Sequence, residues 1–305
     1  MRLLTRSDFD GLVSAVLLKQ VGIMEEWQFV HPKDVQDGAV RVTKDDILVN
    51  VPFAPGCGLW FDHHSSEMER LNFHFPFEGA SRLAPSCARV IWDYYGGKHG
   101  FPEHFQEMLH YVDKCDSGNL TAEEIENPEG WVLLSFMMDP RTSLGRYRDY
   151  RISNYQLMEK MIEWCGTLSA DEILVQPDVQ ERVQRYFEQD TLFRKMIREN
   201  SAERGNVVVL DLRNEPEIYS GNRFVLYTMF PDCNISIQVI WGRENRNVVF
   251  TCGHSIINRT SKTDVGSLML KYGGGGHKKV GTCQTPKEQA DRVLERLVEQ
   301  MNDDG

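Results

Sequence analysis

Short apolar runs recur through the first sixty residues, and each ends at a polar or turn-forming residue. The clearest is Ile47-Leu48-Val49-Asn50-Val51, which is nearly continuous in apolar character, as expected for a strand buried on both faces. Similar runs cover residues 3–4, 27–30 and 60–61, and a helical pattern over residues 12–21 follows the first run. Strands that alternate with helices predict an α/β domain with a mostly parallel sheet flanked by helices, which binds ligands where its strands end.

The second half of the chain has a different pattern. Pro177 begins a long polar helix that reaches about Asn200, and β character returns after it. Strands are predicted at residues 207–210, 224–229, 235–241 and 247–252. Helical patterns over residues 264–272 and 286–301 complete a smaller α+β domain with a mixed or antiparallel sheet. The predicted limits are 1–168 for the α/β domain, 169–204 for a helical linker and 205–305 for the second domain.

The chain of 305 residues is acidic, with a net charge of −11, which argues against a general nucleic-acid coat protein. The charge is uneven, because residues 243–279 carry seven Lys or Arg residues against Glu244 and Asp264, and seven minus two leaves a local +5. Such a patch fits a small anionic ligand, although an ordinary solvated surface can have the same composition.

No stretch reaches the roughly 18 apolar residues that a membrane span needs, and residues 1–8 lack the apolar region of a signal peptide. The seven cysteines are scattered, without a Cys-x-x-Cys pair, so their spacing matches no zinc site. They are expected to be reduced thiols that pack as small apolar side chains. These features predict a cytoplasmic protein without membrane association.

Three motifs place carboxylates or imidazoles near the ends of predicted elements. Asp8-Phe9-Asp10-Gly11 follows the first strand, Asp62-His63-His64 follows the fourth, and Asp116-Ser117-Gly118 follows a predicted helix, with Asp113 just before it. Carboxylate oxygens and imidazole nitrogens suit a divalent cation such as Mn²⁺, Mg²⁺ or Zn²⁺. Each motif alone also fits a structural role, such as an Asx-turn with Asp10 as helix N-cap, a satisfied Asp–His contact or a capping Asp.

A fourth motif is the run Gly273-Gly274-Gly275-Gly276, which is followed by His277, Lys278 and Lys279. Consecutive glycines expose backbone N–H groups and the lysines add positive charge, so the segment is a candidate phosphate cradle. A flexible loop is the alternative, although four glycines between two helical patterns are costly in conformational entropy.

Together, in this order and spacing, the four motifs resemble the DHH phosphoesterase superfamily with a C-terminal DHH-associated domain, in its exopolyphosphatase-related or oligoribonuclease-like branch. The resemblance covers nearly the whole chain. Members include single-strand exonucleases, oligoribonucleases and phosphatases for 3′-phosphoadenosine 5′-phosphate, cyclic-dinucleotide phosphodiesterases and exopolyphosphatases. The resemblance implies two divalent ions, usually Mn²⁺, between the domains, and a C-terminal domain that holds the substrate.

The resemblance also implies roles for individual residues. Asp8 would serve a first ion, whereas Asp10, His63 and Asp116 would serve a second, with Asp113 as an alternative to Asp116. His64 would lie next to the reacting phosphate, as a phosphate contact or a proton donor. The substrate side would be lined by residues of the second half, namely Arg259, Gly275, Gly276, His277 and Lys278.

Two positions depart from the family pattern. Arg6 stands where the family usually has a histidine ligand, and Asn50 stands where it usually has an aspartate that bridges both ions. An amide oxygen can coordinate a cation but brings no charge, and arginine adds a fixed positive charge instead of a ligand. We therefore expect one well-bound ion, Mn²⁺ or Mg²⁺, and a second that binds weakly or is absent, with Arg6 contacting a phosphate directly.

The predicted function is metal-dependent hydrolysis of a phosphodiester, phosphomonoester or phosphoanhydride bond. Water would attack phosphorus while the metal and Arg6 take up the developing negative charge. The substrate would be a short single-stranded oligonucleotide, a nucleotide phosphate or polyphosphate. The alternative is a nucleotide- or phosphate-binding protein with a depleted metal site and little catalysis. A homodimer is compatible with both functions.

Overall fold

A computed structural model of the chain describes residues 1–64 and 76–305. These residues form two compact units, each with its own sheet and its own hydrophobic core. The first unit consists of Met1–Asn119 and Pro128–Tyr186, and the second consists of Leu120–Asn127 and Phe187–Gly305. No helix within the described ranges is long and apolar enough to cross a membrane.

The first unit is built on a five-stranded sheet. Its strands are β1 Arg2–Thr5, β2 Glu26–Phe29, β3 Asp46–Val49, β4 Leu59–Asp62 and β5 Gly79–Ser81. Their order is β2-β1-β3-β4-β5 and every neighbouring pair is parallel, which confirms the predicted sheet. Successive residues of β3 contribute to different cores, Ile47 and Val49 to one and Leu48 to another, because side chains alternate between the faces of a strand.

Helix α1, Phe9–Gln20, is buried over residues 9–18 because it packs against β1 and three other helices of the unit. The other helices of the first unit are α2 Pro32–Gln36, α3 Cys87–Tyr94, α4 Phe105–Asp116, α6 Gly130–Met138, α7 Asn154–Thr167 and α8 Ala170–Leu174. Short 3-10 turns lie at Gly97–His99, Pro140–Thr142 and Leu144–Arg146. The long helix α9 spans Pro177–Asn200, as predicted, and runs from the first unit into the second.

The second unit contains a six-stranded mixed sheet. Its strands are β6 Ser201–Arg204, β7 Val207–Asp211, β8 Ile235–Trp241, β9 Asn247–His254, β10 Gly275–His277 and β11 Val280–Pro286. Their order is β10-β11-β9-β8-β7-β6, and β7 and β8 are parallel whereas the other pairs are antiparallel. The helices are α5 Ala122–Glu126, α10 Val225–Met229, α11 Val265–Leu270 and α12 Ala290–Asp304, with 3-10 turns at Arg243–Asn245 and Lys287–Gln289.

The strand predicted at residues 224–229 is wrong, because this segment forms helix α10. Its aromatic and β-branched composition favours a strand, but such preferences are easily overridden by tertiary contacts. The Tyr227 hydroxyl is hydrogen-bonded to Ser236 Oγ at 2.9 Å and donates to Gly253 O at 3.2 Å. Thr228 Oγ1 donates to Val225 O at 3.0 Å within the helix. These contacts bury the apolar face of a helix against the sheet instead of adding a strand to its edge.

Candidate metal centre

The ends of the parallel strands bring the first two sequence motifs together. Thr5, Val49 and Phe61 lie in register on neighbouring strands, so the residues that follow them emerge at one edge of the sheet. Strand β1 lies between β2 and β3 in the sheet. The chain therefore continues from β1 to β2 on one side and later returns to β3 on the other side of β1. Such a switch point is where open α/β sheets bind their ligands.

Asp8 begins helix α1 as its N-cap, the role that the sequence left open for Asp10. Its Oδ1 atom accepts a hydrogen bond from the Gly11 backbone N–H at 3.0 Å. A Cβ atom at Gly11 would lie 2.2 Å from the Arg6 carbonyl oxygen, so a larger residue would force the turn open. The glycine therefore holds Asp8 and Asp10 close to the end of β1.

Asp10 connects the first turn of α1 to the first turn of α3. Its Oδ1 accepts from the Ala88 backbone N–H at 2.8 Å, and its Oδ2 accepts from that of Cys87 at 2.9 Å. The residue is 1% exposed. Burial raises the pKa of Asp10 to about 6, and the charge of Asp8 adds to this, while His63 and the two N–H donors oppose it.

His63 directs one ring nitrogen at two carboxylates. Its Nδ1 donates to the Ala84 carbonyl oxygen at 3.2 Å, which leaves Nε2 facing Asp10 Oδ2 at 3.7 Å and Asp116 Oδ2 at 3.4 Å. Nε2 is buried and has no hydrogen-bond partner within the described ranges. Burial opposes protonation, but the carboxylates of Asp10, Asp116 and Asp62 raise the pKa of His63.

The residues Asp10, His63 and Asp116 fit a divalent cation. They offer three ligand atoms that lie within 4.8 Å of one another. Oxygen and nitrogen ligands about 2.1 Å from an ion are roughly 3 Å or more apart, so small shifts would close this cluster around one. The donor set of two carboxylates and an imidazole suits Mn²⁺ or Mg²⁺, and a cation would give the orphaned His63 Nε2 a partner.

The geometry favours Asp116 over Asp113 as the third member. Asp113 Oδ1 accepts from Ser86 Oγ at 2.7 Å, and its Oδ2 accepts from Arg89 Nε at 2.8 Å. Asp116 instead faces His63. Burial of the carboxyl group raises the pKa of Asp116 above its usual range, and the charge of Asp10 raises it further. The Asp116 side chain as a whole is 29% exposed.

Arg6 and Asn50, the two departures from the family pattern, both lie against Asp8. Arg6 Nε is 3.0 Å from Asp8 Oδ2, and Asn50 Nδ2 donates to Asp8 Oδ1 at 3.4 Å. Asn50 is 2% exposed and has a φ of 55°, in the left-handed region that Asn and Asp tolerate better than most residues. Both oxygens of Asp8 therefore face donors of the protein, where the resemblance implies a first metal ion.

His64 is oriented by Asp62, a residue to which the sequence assigned no separate role. Asp62 is completely buried, and its Oδ2 accepts from the His64 backbone N–H at 2.9 Å. Its Oδ1 lies 3.0 Å from His64 Nδ1, and because a carboxylate only accepts, Nδ1 is the donor. This contact fixes the orientation of the His64 ring through Nδ1. The imidazoles of His63 and His64 are neighbours, with ring centroids 4.2 Å apart.

Three contributors to the centre carry no sequence signal. The N–H groups of Cys87 and Ala88 are backbone atoms that no motif marks. Arg141 is the third. Burial opposes its ionisation, but Asp139 raises the pKa of its guanidinium, and the charges of Asp8 and Asp116 raise that pKa further. A single arginine in a turn cannot be distinguished from a surface arginine by sequence.

The predicted substrate residues of the second unit lie in two segments that meet at His254. The His254 backbone N–H donates to Lys279 O at 2.9 Å, and its Nε2 donates to Thr263 O at 2.8 Å. Burial lowers the pKa of His254, and the charges of Lys279 and Lys278 lower it further. The predicted substrate residues on these segments are Arg259, which is exposed and donates to Ile256 O, and Gly275, Gly276, His277 and Lys278.

Most glycines of the run at residues 273–276 are needed for the local backbone structure. Gly273, with a φ of 74°, follows α11, and Gly274 N–H donates to Met269 O at 3.0 Å to close the helix. A Cβ atom at Gly276 would lie 2.3 Å from Val280 O across the β10–β11 pair. The same atom at Gly275 would meet nothing within 4 Å. The run is therefore a helix end followed by an edge strand, and its phosphate-binding role stays a prediction.

Comparison with known proteins gives relatives among solved structures, whereas no protein-family model and no curated protein matches the chain. The chain is 49% identical to the pGpG-specific phosphodiesterase PggH from Vibrio cholerae, with a TM-score of 0.86 and coverage of 100% of this chain and 99% of that one. It also resembles RecJ from Thermus thermophilus in complex with Mn²⁺, with 14% identity and a TM-score of 0.51. RecJ from the same organism in complex with Mg²⁺ gives 15% identity and a TM-score of 0.50.

The RecJ likeness concerns the fold alone. It covers 98% of this chain, which spans about half the length of RecJ, with 52% and 49% of the two RecJ chains matched. The phosphodiesterase match covers the complete chain, and the cluster of Asp10, His63 and Asp116 supplies a site for a divalent metal. The resemblance found in the sequence is thus confirmed: the chain is a phosphoester-hydrolysing enzyme and belongs to the DHH phosphoesterase superfamily.

Proposed function

We propose that the protein is a phosphodiesterase that cleaves short 5′-phosphorylated oligonucleotides, with the dinucleotide pGpG as its preferred substrate and Mn²⁺ as its metal. The observation that carries the proposal is the buried cluster of Asp10, His63 and Asp116, whose imidazole Nε2 lacks a partner within the described ranges. The substrate class rests on the likeness to a relative that acts on pGpG. A cytoplasmic location and a homodimer stay predictions from the sequence.

One divalent ion per chain is the second part of the proposal. Asp10, His63 and Asp116 would hold it, and it would supply Lewis acidity toward a phosphate oxygen. Asp8 would not hold another, because Arg6 and Asn50 already direct donors at both of its oxygens. The fixed charge of Arg6 also opposes a second cation beside Asp8.

The other residues of the centre have distinct tasks in the proposed reaction. Water attacks phosphorus, and the bond from phosphorus to the 3′ oxygen breaks. His64, held by its Nδ1 contact with Asp62, passes a proton to the leaving oxygen, which becomes a hydroxyl, and regains the proton that the attacking water releases. Arg6, fixed by its Nε contact with Asp8, directs its terminal nitrogens at a non-bridging phosphate oxygen. We assign the rest of the substrate to the second unit, through Arg259, Gly275, Gly276, His277 and Lys278.

The test is hydrolysis by the purified protein with Mn²⁺. We expect conversion of pGpG to GMP, and much slower turnover of 3′-phosphoadenosine 5′-phosphate and polyphosphate. Asp10→Ala and His63→Ala should abolish turnover, whereas His99→Ala, a substitution of an exposed histidine outside the centre, should leave it unchanged. Turnover that survives both centre substitutions would overturn the site assignment.

The alternative function is binding of a phosphorylated ligand with little catalysis, and the occupied Asp8 is the observation that favours it. Tight binding of pGpG without turnover, at any Mn²⁺ or Mg²⁺ concentration, would support this alternative. The role of the second unit is tested by Lys278→Ala with Lys279→Ala, which should raise KM more than it lowers kcat. An unchanged KM would remove the proposed phosphate contact at this turn.

A further inference from the structure

Residues 84–89, which lead into helix α3, hydrogen-bond to two of the three residues of the candidate metal cluster. We propose that Asp113 is a positioning residue of this centre, which fixes the spacing of the cluster by holding these residues against helix α4. The inference deepens the proposed function, since it rests on a divalent ion bound by Asp10, His63 and Asp116. It gives a task to a carboxylate that precedes Asp116 by about one helical turn.

His63 and Asp10 are both held by backbone atoms of this segment. The Ala84 carbonyl oxygen accepts from His63 Nδ1 at 3.2 Å. The backbone N–H groups of Cys87 and Ala88 donate to the two carboxylate oxygens of Asp10, at 2.9 Å and 2.8 Å. The position of the segment therefore sets where these two members of the cluster lie, and a shift of the segment would move both of them.

Asp113 fixes the same segment through two residues that flank Cys87 and Ala88. Ser86 Oγ donates to Asp113 Oδ1 at 2.7 Å, and Arg89 Nε and Nη2 both donate to Asp113 Oδ2, at 2.8 Å and 2.5 Å. Ser86 is completely buried and also caps helix α3, since its Oγ accepts from the Arg89 backbone N–H at 3.0 Å. One carboxylate thus holds the first turn of α3 at two points.

The third member of the cluster is connected to Asp113 through the end of helix α4. Asp113 and Asp116 are three residues apart in this helix, so their side chains project from the same face. The Asp113 carbonyl oxygen accepts from the Ser117 backbone N–H at 3.1 Å and from its Oγ at 2.6 Å. These bonds close the turn that carries Asp116, so a shift at Asp113 would move Asp116 relative to Asp10 and His63.

The contacts of Asp113 are better explained by positioning than by metal binding or by stability alone. Both of its oxygens accept from Ser86 and Arg89, so Asp113 is engaged by the protein and does not serve as a fourth ligand. The Asp113 and Arg89 side chains are 16% and 29% exposed, so water limits what this ion pair adds to the free energy of unfolding. The pair joins the start of α3 to the end of α4, which are the two helix ends that the cluster uses.

The experiment measures Mn²⁺ affinity in the absence of substrate, by titration against a fluorescent chelator well below the melting temperature. Asp113→Asn and Arg89→Met break the contact from either side, and each should weaken Mn²⁺ binding about 10- to 100-fold, as for other residues that orient metal ligands. The double variant should bind about as weakly as the weaker single variant, since both substitutions remove one contact. The control is Asp178→Asn, which breaks a 2.6 Å contact with Lys160 elsewhere in the first unit and should keep the wild-type affinity.

The two single substitutions distinguish positioning from a simple effect of charge. If charge alone acted, loss of the negative charge of Asp113 would weaken cation binding, whereas loss of the positive charge of Arg89 would strengthen it. A fall of affinity in both variants is therefore the result that positioning requires. Arg89→Lys keeps the positive charge and one possible hydrogen bond, so it should recover part of the affinity that Arg89→Met loses.

Several results would overturn the inference. One is an Mn²⁺ affinity of Asp113→Asn equal to that of Asp178→Asn. Another is a rise of Mn²⁺ affinity in Arg89→Met, which would reduce the contact to a charge effect. Losses that multiply in the double variant would show that the two residues do not act through one contact. Absence of Mn²⁺ binding to the wild type would overturn the inference together with the metal site. If both single variants lose Mn²⁺ affinity but the wild type cleaves no pGpG, the proposed function fails and the inference stands.

Discussion

The number of bound ions can be tested by exchanging the two residues that lie against Asp8. Asn50→Asp places a carboxylate where Asn50 Nδ2 now lies 3.4 Å from Asp8 Oδ1. Two charges at that distance repel by about 5 kcal/mol at an effective dielectric constant of about 20. Protonating an ordinary aspartate at neutral pH costs about 4 kcal/mol, so proton uptake limits the penalty to about that value. Arg6→His, made together with it, removes the cation that now neutralises Asp8.

The double variant should therefore be unstable without metal and should bind a second ion. In a chelator, its melting temperature should fall by roughly 10 °C, given a few degrees for each kcal/mol lost. Adding Mn²⁺ should restore most of this loss, and calorimetric titration should find two ions per chain in place of one. Asn214→Asp, at an exposed site of the second unit, controls for the added charge. Two tightly bound ions in the wild type, or one ion in the double variant without a chelator-dependent loss, would refute the reasoning.

Three further predictions concern the centre and the glycine run. His63→Ala should weaken Mn²⁺ binding by more than the 10- to 100-fold typical of residues that only support a ligand, as measured by titration against a fluorescent chelator. In metal-free protein, the pKa values of Asp10 and Asp116 are raised to about 6 and about 7, so their contribution to stability is present below pH about 4 and is lost as the pH rises through 6 to 7. The Mn²⁺-loaded protein should show the opposite trend in denaturant titrations, since the ion must displace those protons. Gly276→Ala should destabilise the second unit because its Cβ would meet Val280 O at 2.3 Å, whereas Gly275→Ala should be tolerated in thermal melts.

Sequence patterns predicted those parts of the fold that depend on local composition. The helix Pro177–Asn200 was predicted at both ends, because a proline can occupy the first turn and a continuous polar pattern follows it. Helix α10 was not predicted, because the contacts of Tyr227 with Ser236 and Gly253 decide its structure and lie far away in sequence. Strand β5 has only three residues, too few to show an alternating pattern.

The residues of the candidate site, like the elements of the fold, could be predicted from the sequence only in part. Asp10, His63 and Asp116 could be proposed from motifs, because metal ligands need particular residue types. The choice between Asp113 and Asp116 needed the structure, since only the Arg89 and Ser86 contacts show that Asp113 is engaged. Backbone donors and a lone arginine leave no trace in a pattern of residue types.

The two backbone hydrogen bonds to Asp10 have a kinetic consequence. Because each carboxylate oxygen accepts from the first turn of α3, the side chain is fixed whether or not an ion is present. His63 is fixed in the same way by the Ala84 carbonyl. Release of the ion would thus change the charge of the centre more than its shape. Recapture of an ion should then be limited by diffusion and by loss of water from the ion, with no slow rearrangement of the chain.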